Sequence, residues 1–544
     1  MLSTRRLVVL EACTAAAVAG ALALAAPWWA AAAVAAVTFA LGLVGTPVAR
    51  ALCAHSTFLL RSRVAQPSMT GPTIEVATPD GPIGARWNGT TVTTVIALNA
   101  PGPSIQVIRP GPRHGDQYSA APPPLPLDLI ADSLRQNDIH LASVDVVSHA
   151  RRLHPSSPLA EEYHRIVGPL PATAHRVTYL LLRLDPADNA AAVARRGGDI
   201  IGAHRAAALA TRRLAQRLRE AGHRARPLGA DIDRAEVDLL DGQHAPKLSE
   251  HIDSMRGGHR QTITYSIQTG AIPEVLATCW AAATDTTSVT LTLAPADGGR
   301  IAISGLLRHT ATGHLPPPPA GVRQLSGRQR RALATSLPGG PDPTDLAPTR
   351  VVAIADLHVL SVTTTGCGQL LGADPTGAAV FAPVFGPAVA AVSVTADIPL
   401  IRQIVLRAIA IGARTVVHTE RPVQWRPLAS SIGDSEWLLI TGPGRARGAF
   451  DLNVLDGVRV ADAEPAAPPA PATVLTVIAP GTPNPPAAGL RITQNNSTAN
   501  DFVITANGRS VPVTMVTTDD ERAWLVVPDD GAVEDPPLVA AGPA

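Results

Sequence analysis

The sequence predicts an α/β protein: an N-terminal transmembrane helical hairpin, then cytoplasmic α/β domains, then a β-rich C-terminal segment. Three observations carry this. Two apolar runs, Leu7 to Ala26 and Ala30 to Ala49, contain no Lys or Arg and are split by Pro27-Trp28-Trp29. At about 1.5 Å rise per residue each is close to the ~30 Å hydrocarbon core of a bilayer. Downstream, short β-type runs alternate with stretches of helical periodicity, the pattern of α/β layers. From Val474 onward helical periodicity gives way to short strand-like runs around Ile492, Val503, Val513 and Leu525.

Charge orients the hairpin. Arg5 and Arg6 precede the first run, and Arg50, Arg61 and Arg63 follow the second. Lys/Arg excess marks the cytoplasmic side and Trp the headgroup level. Both termini are therefore expected in the cytoplasm, the protein spanning the plasma membrane twice. The Ala21-Leu22-Ala23 step would also suit a cleavable signal peptide, but a second apolar run has no role in one. Gly20, Gly42 and Gly45 permit close helix packing within the bilayer.

Composition limits the function classes. The formal net charge is +1, with 45 basic and 44 acidic residues. No nucleic-acid partner is implied. Lys247 is the one lysine, so arginine is the default cation here. Cys13, Cys53, Cys279 and Cys367 are scattered without a C-x-x-C pair, which indicates neither zinc nor a disulfide framework.

Residues 1–63 hold the hairpin and its juxtamembrane extension, and 64–240 a first α/β domain. Within it Asn88-Gly89 marks a hairpin turn before a strand over Thr91 to Leu98. Pro101 to Pro126 reads as a Pro/Gly loop and Leu127 to Asn137 as an amphipathic helix. Strands follow at Ile139 to Val147 and Val177 to Leu184. A long helix runs from Asp199, its expected N-cap, to Ala221, with Gly222 as the stop. Residues 241–345 form an α/β segment closed by a Pro-rich linker (Pro316 to Pro319) and a short basic helix capped by Ser326. Residues 346–462 contain a βαβ unit. Val389 to Thr395 is its first strand, Pro399 opens a helix with Leu400, Ile404 and Ile411 on one face, and Arg414 to Thr419 is a second, parallel strand. An Ala/Pro linker (463–473) precedes the β-rich tail (474–544), where Asn507-Gly508 turns a hairpin.

Several of these stretches resemble one family. The run Gly84-Ala85-Arg86-Trp87-Asn88-Gly89, the segments Leu125 to Ser148, Gly168 to Pro186 and Ala194 to Leu218, and the hairpin just before them are similar to EccE, the membrane component of ESX, or type VII, secretion systems of actinobacteria. The likeness continues more patchily in Leu325 to Pro338 and Arg421 to Leu428. It implies a non-enzymatic subunit of an inner-membrane secretion complex, assembled with EccB, EccC and EccD.

The residues themselves offer little chemistry. No G-x-x-x-x-G-K-[ST] occurs, and Lys247 sits among no glycines, so P-loop hydrolysis is excluded. Gly442-Pro443-Gly444-Arg445-Ala446-Arg447-Gly448 follows a strand, but Arg447 occupies the sixth position, where a dinucleotide loop needs glycine. Asp462 lies at the right distance, yet Asp451 to Gly457 is too short for the intervening helix. His418-Thr419-Glu420 lacks the Pro-Cys-x-x-Cys that a zinc deaminase requires. His244, His251 and His259 are separated by Pro246 and Gly257-Gly258 and share no face. Catalytic, cofactor and metal residues are therefore expected to be none, with no small-molecule substrate. A second class, a membrane-tethered enzyme with a glycosyltransferase-like or nucleotide-binding α/β domain, lacks an identifiable base, acidic pair or phosphate loop. Arg205, Arg212, Arg213, Arg217 and Arg219 on the long helix, opposite Ile201, Leu214 and Leu218, and a cluster at Arg323, Arg328, Arg330 and Arg331 offer either a docking face or a solvated one.

Overall fold

The computed structural model describes residues 69–100, 102–109, 118–119, 123–343, 345–443, 449–458, 472–479, 487–495 and 500–525, with isolated positions between 27 and 36. The expected transmembrane hairpin, residues 7–49, lies otherwise outside the described residues. Among these, no helix is long and apolar enough to cross a membrane.

Two large sheets organise the chain. In order, the strands are β1 (Thr73–Val76), β2 (Ile83–Trp87), β3 (Val92–Asn99), β4 (Gln106–Ile108), β5 (Tyr118–Ser119), β6 (Arg135–Gln136), β7 (Ile139–His140), β8 (Ser143–Arg151) and β9 (His175–Leu184). They continue with β10 (Arg224–Pro227), β11 (Ser249–Glu250), β12 (Met255–Gly257), β13 (Arg260–Ile267), β14 (Thr286–Pro295), β15 (Ile301–Thr312), β16 (Val322–Gln324), β17 (Arg350–Val352), β18 (Gln369–Ala373) and β19 (Ala379–Ala382). The last are β20 (Ala391–Thr395), β21 (Thr415–Thr419), β22 (Leu438–Thr441), β23 (Leu452–Asp456), β24 (Thr473–Val477), β25 (Leu490–Gln494), β26 (Asp501–Ala506) and β27 (Arg509–Thr514).

The first sheet runs β1-β2-β3-β9-β8-β14-β15-β13-β12-β11, with β10 on β3, β16 on β13 and β17 on β15. Every pairing in it is antiparallel. Strands from residues 73–227 and 249–352 thus share one sheet. Side chains alternate between its faces. Leu180, Leu182 and Leu184 of β9 enter one core, beneath a helix α4 (Asp199–Glu220), whose Ala203, Ala207, Leu214 and Leu218 are buried there. Tyr179 and Leu181 enter the opposite core, beneath α5 (Ile232–Leu239). The earlier helices are α1 (Leu127–Asp132), α2 (Ala160–Val167) and α3 (Ala190–Ala194); the later ones used below are α6 (Ile272–Thr278), α7 (Gln329–Thr335), α8 (Ile398–Ala410), α9 (Arg426–Ile432) and α10 (Asp519–Ala523).

The second sheet runs β22-β21-β23-β24-β20-β25-β26-β27-β18-β19-β4-β5. Its first six strands are parallel, and the rest of the path is antiparallel. Helix α8 packs into its core through Leu400, Ile401, Ile404, Val405 and Ile409. Pro stands in its first turn, and the Asp397 side chain accepts from Leu400 N at 3.2 Å. Gly412 ends the helix at φ +113°, a left-handed value that favours glycine.

The structure corrects several sequence expectations. Strands β20 and β21 are parallel but are not neighbours, because β23 and β24, made later in the chain, insert between them. The Pro101 to Pro126 loop contains β4, which leaves its sequence neighbours and pairs with β19 in the second sheet. The helix at Leu127 stops at Asp132; Asn137, at φ +54°, then turns the small β6–β7 hairpin. Asp199 is no cap: Gly198 takes that position, and Asp199 opens α4 at φ +45°. Ile201 is 58% exposed, since the buried contact with α3 is made by Gly202, where an added Cβ would lie 2.3 Å from Val193 O. The Ser326 cap also fails, because α7 begins only at Gln329, with Arg328 at the cap position.

Candidate functional site

The most heavily built polar centre lies on the face of the first sheet away from α4. There the segment Thr335 to Gly340, leaving α7, is gripped by three arginines from three strands. From β9, Arg183 donates through Nη2 to Thr335 O at 2.7 Å and through Nη1 to Gly340 O. Its Nε donates to Asp145 Oδ2 of β8 at 2.7 Å, and both side chains are fully buried. From β15, Arg308 donates through Nη1 to Ser336 Oγ at 3.1 Å. From β2, Arg86 donates to Pro338 O at 3.1 Å, while Glu236 and Asp233 of α5 neutralise it. Asn88 adds a bond from Nδ2 to Gly340 O at 3.0 Å.

The logic is that of a helix end. The last carbonyls of a helix lack intrahelical partners and carry partial negative charge. Buried guanidiniums need acceptors, and the backbone beyond α7 supplies them. The turn at its far end requires glycine. Gly339 has φ +77°, and a Cβ on Gly340 would sit 1.8 Å from Ala334 O.

Among the described residues Arg308 has no direct carboxylate partner. Its Nη2 donates to Leu239 O at 2.6 Å and to Ser288 Oγ at 2.9 Å. Ser288 Oγ stands 2.6 Å from His149 Nδ1, and His149 Nε2 is 3.0 Å from Asp241 Oδ1. Asp241 also accepts from Thr286 Oγ1 at 2.9 Å. Ser288 Oγ thus receives from Arg308 and meets Nδ1, while Nε2–H donates to the carboxylate. Burial pushes Arg308 down to about 10, partly offset by the Asp241 charge. Burial also acts to raise Asp241, but His149, Arg308 and Thr286 hold its carboxyl below the usual range.

Ser288, His149 and Asp241 have the residue types of a hydrolytic triad. The setting is different. Ser288 is 1% exposed, lies inside β14 between β8 and β15, and receives a bond from a guanidinium at its own Oγ. The arrangement links Asp241 to Arg308 through His149 and Ser288.

A second centre lies in the parallel half of the other sheet. Connections leave β21 toward β22 and β23 toward β24, so the strand order reverses between β21 and β23. Ligands of open α/β sheets bind outside the carboxyl ends at such a point. Here the chain's own groups occupy it. Asp456, fully buried at the end of β23, accepts from Thr419 Oγ1 at 2.9 Å, Trp425 Nε1 at 2.8 Å and Arg421 Nε at 2.9 Å. Burial raises this carboxyl, and these three donors more than reverse it, holding it below its ordinary value.

The candidates singled out by motif and spacing fall elsewhere. His418 is buried in β21 and Glu420 is exposed beyond it. Gly442 follows β22, residues 444–448 and Asp462 lie outside the described residues, and the next element is the strand β23. His244, His251, His259 and Lys247 are exposed on separate turns. Among the described residues no three His, Cys, Asp or Glu side chains gather to hold a metal. The arginines of α4 bind their own chain: Arg205 donates to Arg196 O at 3.0 Å, Arg213 to Gln136 O at 3.4 Å, Arg217 to Ser133 Oγ at 2.7 Å and Arg219 to Ala225 O at 2.8 Å, while Arg212 pairs with Asp80 at 3.3 Å. Arg331 and Arg328 reach Asp345.

Comparison with known proteins places this architecture. A family model described as "Putative type VII ESX secretion system translocon, EccE" matches residues 172–267, from just before β9 to the end of β13. The chain is 31% identical over 275 residues to the ESX-5 secretion system protein EccE5 of Mycobacterium tuberculosis, covering 47% of this chain and 64% of that protein. It is 29% identical over 358 residues to the ESX-2 secretion system protein EccE2 of M. tuberculosis, covering 63% and 64%. The ESX-1 secretion system protein EccE1 of M. tuberculosis matches at 27% over 312 residues, 56% and 63%. The chain is similar to the EccE family over these spans. Its matches span just under two thirds of the length of these curated relatives.

Several of the stretches in which the sequence resembles that family contribute to the two polar centres. Gly84 to Gly89 brings Arg86 and Asn88, Leu125 to Ser148 brings Asp145, and Gly168 to Pro186 brings Arg183. Leu325 to Pro338 is α7 and most of the clasped segment, and Arg421 to Leu428 brings Arg421 and Trp425.

Proposed function

We propose that the chain is a structural and docking subunit of a type VII (ESX) secretion complex in the plasma membrane, not an enzyme. The observation that carries this reading is how the chain uses its buried charge. Arg86, Arg183 and Arg308 hold carbonyls of the chain itself, and Arg421, Trp425 and Thr419 fill the crevice where a parallel sheet would admit a ligand. Such centres rigidify a scaffold. The relatives' names place them in ESX secretion systems, and the family likeness adds EccB, EccC and EccD as partners. The hairpin anchors the chain with both termini in the cytoplasm, by the arginine asymmetry around it.

The test is co-purification of the full chain from membranes after Gly20→Leu and Gly42→Leu, which keep both runs apolar. A structural subunit loses partner chains from the purified complex, since small residues allow close helix packing. Undiminished recovery of partners and undiminished secretion would refute a role for the hairpin in assembly. Saturable ATP or NAD binding abolished by bulky residues at Gly442 and Gly444 would refute the non-enzymatic reading.

A further inference from the structure

Between the two sheets lies a cleft of about 480 Å³. One wall is formed by β3, β9, β10 and α5 of the first sheet, the other by the loop 383–388 that leads into β20. Its charges are unequal: Arg176, Arg224, Arg226 and Arg234 stand against Asp231 and Asp238. Two of the arginines are neutralised, Arg226 by Asp231 at 2.7 Å and Arg234 by Asp238 at 3.1 Å. Arg176 lies over the Trp280 ring at 4.0 Å. Arg224 makes no ion pair among the described residues and is exposed at the mouth. Beside it Val177 is 37% exposed, and Pro387 adds a second apolar surface. A basic, partly apolar slot with backbone on both walls suits an extended acidic peptide.

The chain contains one. After Leu525, residues 526–544 carry Asp529, Asp530, Glu534 and Asp535 and no Lys, Arg or His, with Val526, Val527 and Pro528 just before. Helix α10, which leads into it, is fixed on α8: Glu521 accepts from Arg407 Nε at 2.6 Å and from Gln403 Nε2 at 2.9 Å. The C-terminal end of α8, one turn beyond Arg407, borders the cleft, since Ile411 O accepts from His175 Nε2 at 3.2 Å. From Gln403 to Ile411 the helix rises about 12 Å at 1.5 Å per residue, whereas ten extended residues reach roughly 33 Å. The tail is therefore long enough to arrive with its acidic stretch at Arg224.

We infer that the acidic segment 529–535 docks in the cleft between the two sheets, with Arg224 as its main electrostatic contact. The test uses the full chain in membranes, with Val177→Cys and Ala532→Cys introduced together and mild oxidation. The expected result is an intramolecular disulfide formed in much higher yield than with Val423→Cys and Ala532→Cys, a pair placed at the exposed end of the second sheet; Val177→Cys alone sets the background. Arg224→Glu is expected to cut the yield roughly three- to fivefold, the scale of one exposed charge contact. Adding Asp530→Arg to it restores the yield. Equal yields from the two pairs, or no effect of Arg224→Glu, would overturn the inference. So would capture of a different chain by the thiol introduced with Val177→Cys, which would assign the cleft to an acidic partner.

Discussion

The two sheets use arginine in opposite ways. In the first, Arg183 and Arg308 reach away from the strands and hold a segment that crosses the sheet, Arg183 by its carbonyls and Arg308 by the Ser336 hydroxyl. In the second, Arg421 reaches back to Asp456 and closes the gap between two strands of the same sheet. Arg407 does something intermediate, tying Glu521 of α10 to α8 while donating to Leu370 O at 3.0 Å. The difference teaches that in an arginine-rich chain the cation is also internal mortar. Its partner, carbonyl or carboxylate, decides whether it fixes a covering segment or a strand register.

The largest way to break the contrast is Arg183→Ala. It leaves Asp145 buried without its cation and two carbonyls without donors, a loss of about 3–5 kcal/mol. Chemical unfolding of the purified chain measures it. Arg183→Met with Asp145→Leu is expected to recover much of that loss, because the penalty is for an unpaired charge. If the single and double variants are equally unstable, the backbone clasp matters more than the ion pair.

Asp456→Ala tests the other sheet. The buried Trp425 indole and Thr419 hydroxyl lose their acceptor, while Arg421, 45% exposed, turns to solvent. A cost of about 2–3 kcal/mol is expected, from unsatisfied buried donors. Amide exchange should rise in β21 and β23 and stay unchanged at α7. A smaller effect, about 1 kcal/mol, is expected for Asp397→Ala, which removes the cap of α8. Loss of far more would mean that Asp397 does more than cap.

The smallest effect near neutral pH belongs to the seam between the sheets. His175 is held down to about 3 and His154 to about 4, in both cases by burial first and the Arg151 charge second. Each is neutral when folded, and the unfolded chain takes up the proton near pH 6.5. Stability from these groups is thus complete above about 6.5 and falls as pH drops toward 4 and then 3, by at most about 1.4 kcal/mol per pH unit per histidine. Thermal unfolding between pH 7 and 5 shows the slope, and His175→Gln, which retains a donor for Ile411 O, should flatten it. An unchanged slope would move the linkage to other groups.

Much of the fold was legible where local chemistry decides it. Asn88-Gly89 and Asn507-Gly508 turn their hairpins as the dipeptides imply, and Pro399 and Gly412 bracket α8. The order of strands in the second sheet was not legible, because β20 and β21 are separated by strands that follow them in sequence. The polar centres were harder still. Arg183 stands in the run Tyr179 to Leu184 among four leucines, and a charge inside such a run is itself a signal. Its partners come from β8 and from beyond α7, so no spacing reveals them. Ser288, His149 and Asp241 likewise meet only through three separate elements.

The placement of β4 also bears on how the chain is made. Ile108 lies opposite Ala379, so β4 is synthesised long before the strand it pairs with and waits for it. At 5–20 residues per second the wait is on the order of tens of seconds. Meanwhile the first sheet can assemble around both flanks of β4, since β3 and β8 are neighbours of β9. The early strand is then presented as a fixed template edge, and the later half of the protein condenses against something already folded. A ribosome-nascent chain stopped before β18 would leave that edge open, the point at which a chaperone or a wrong strand would bind.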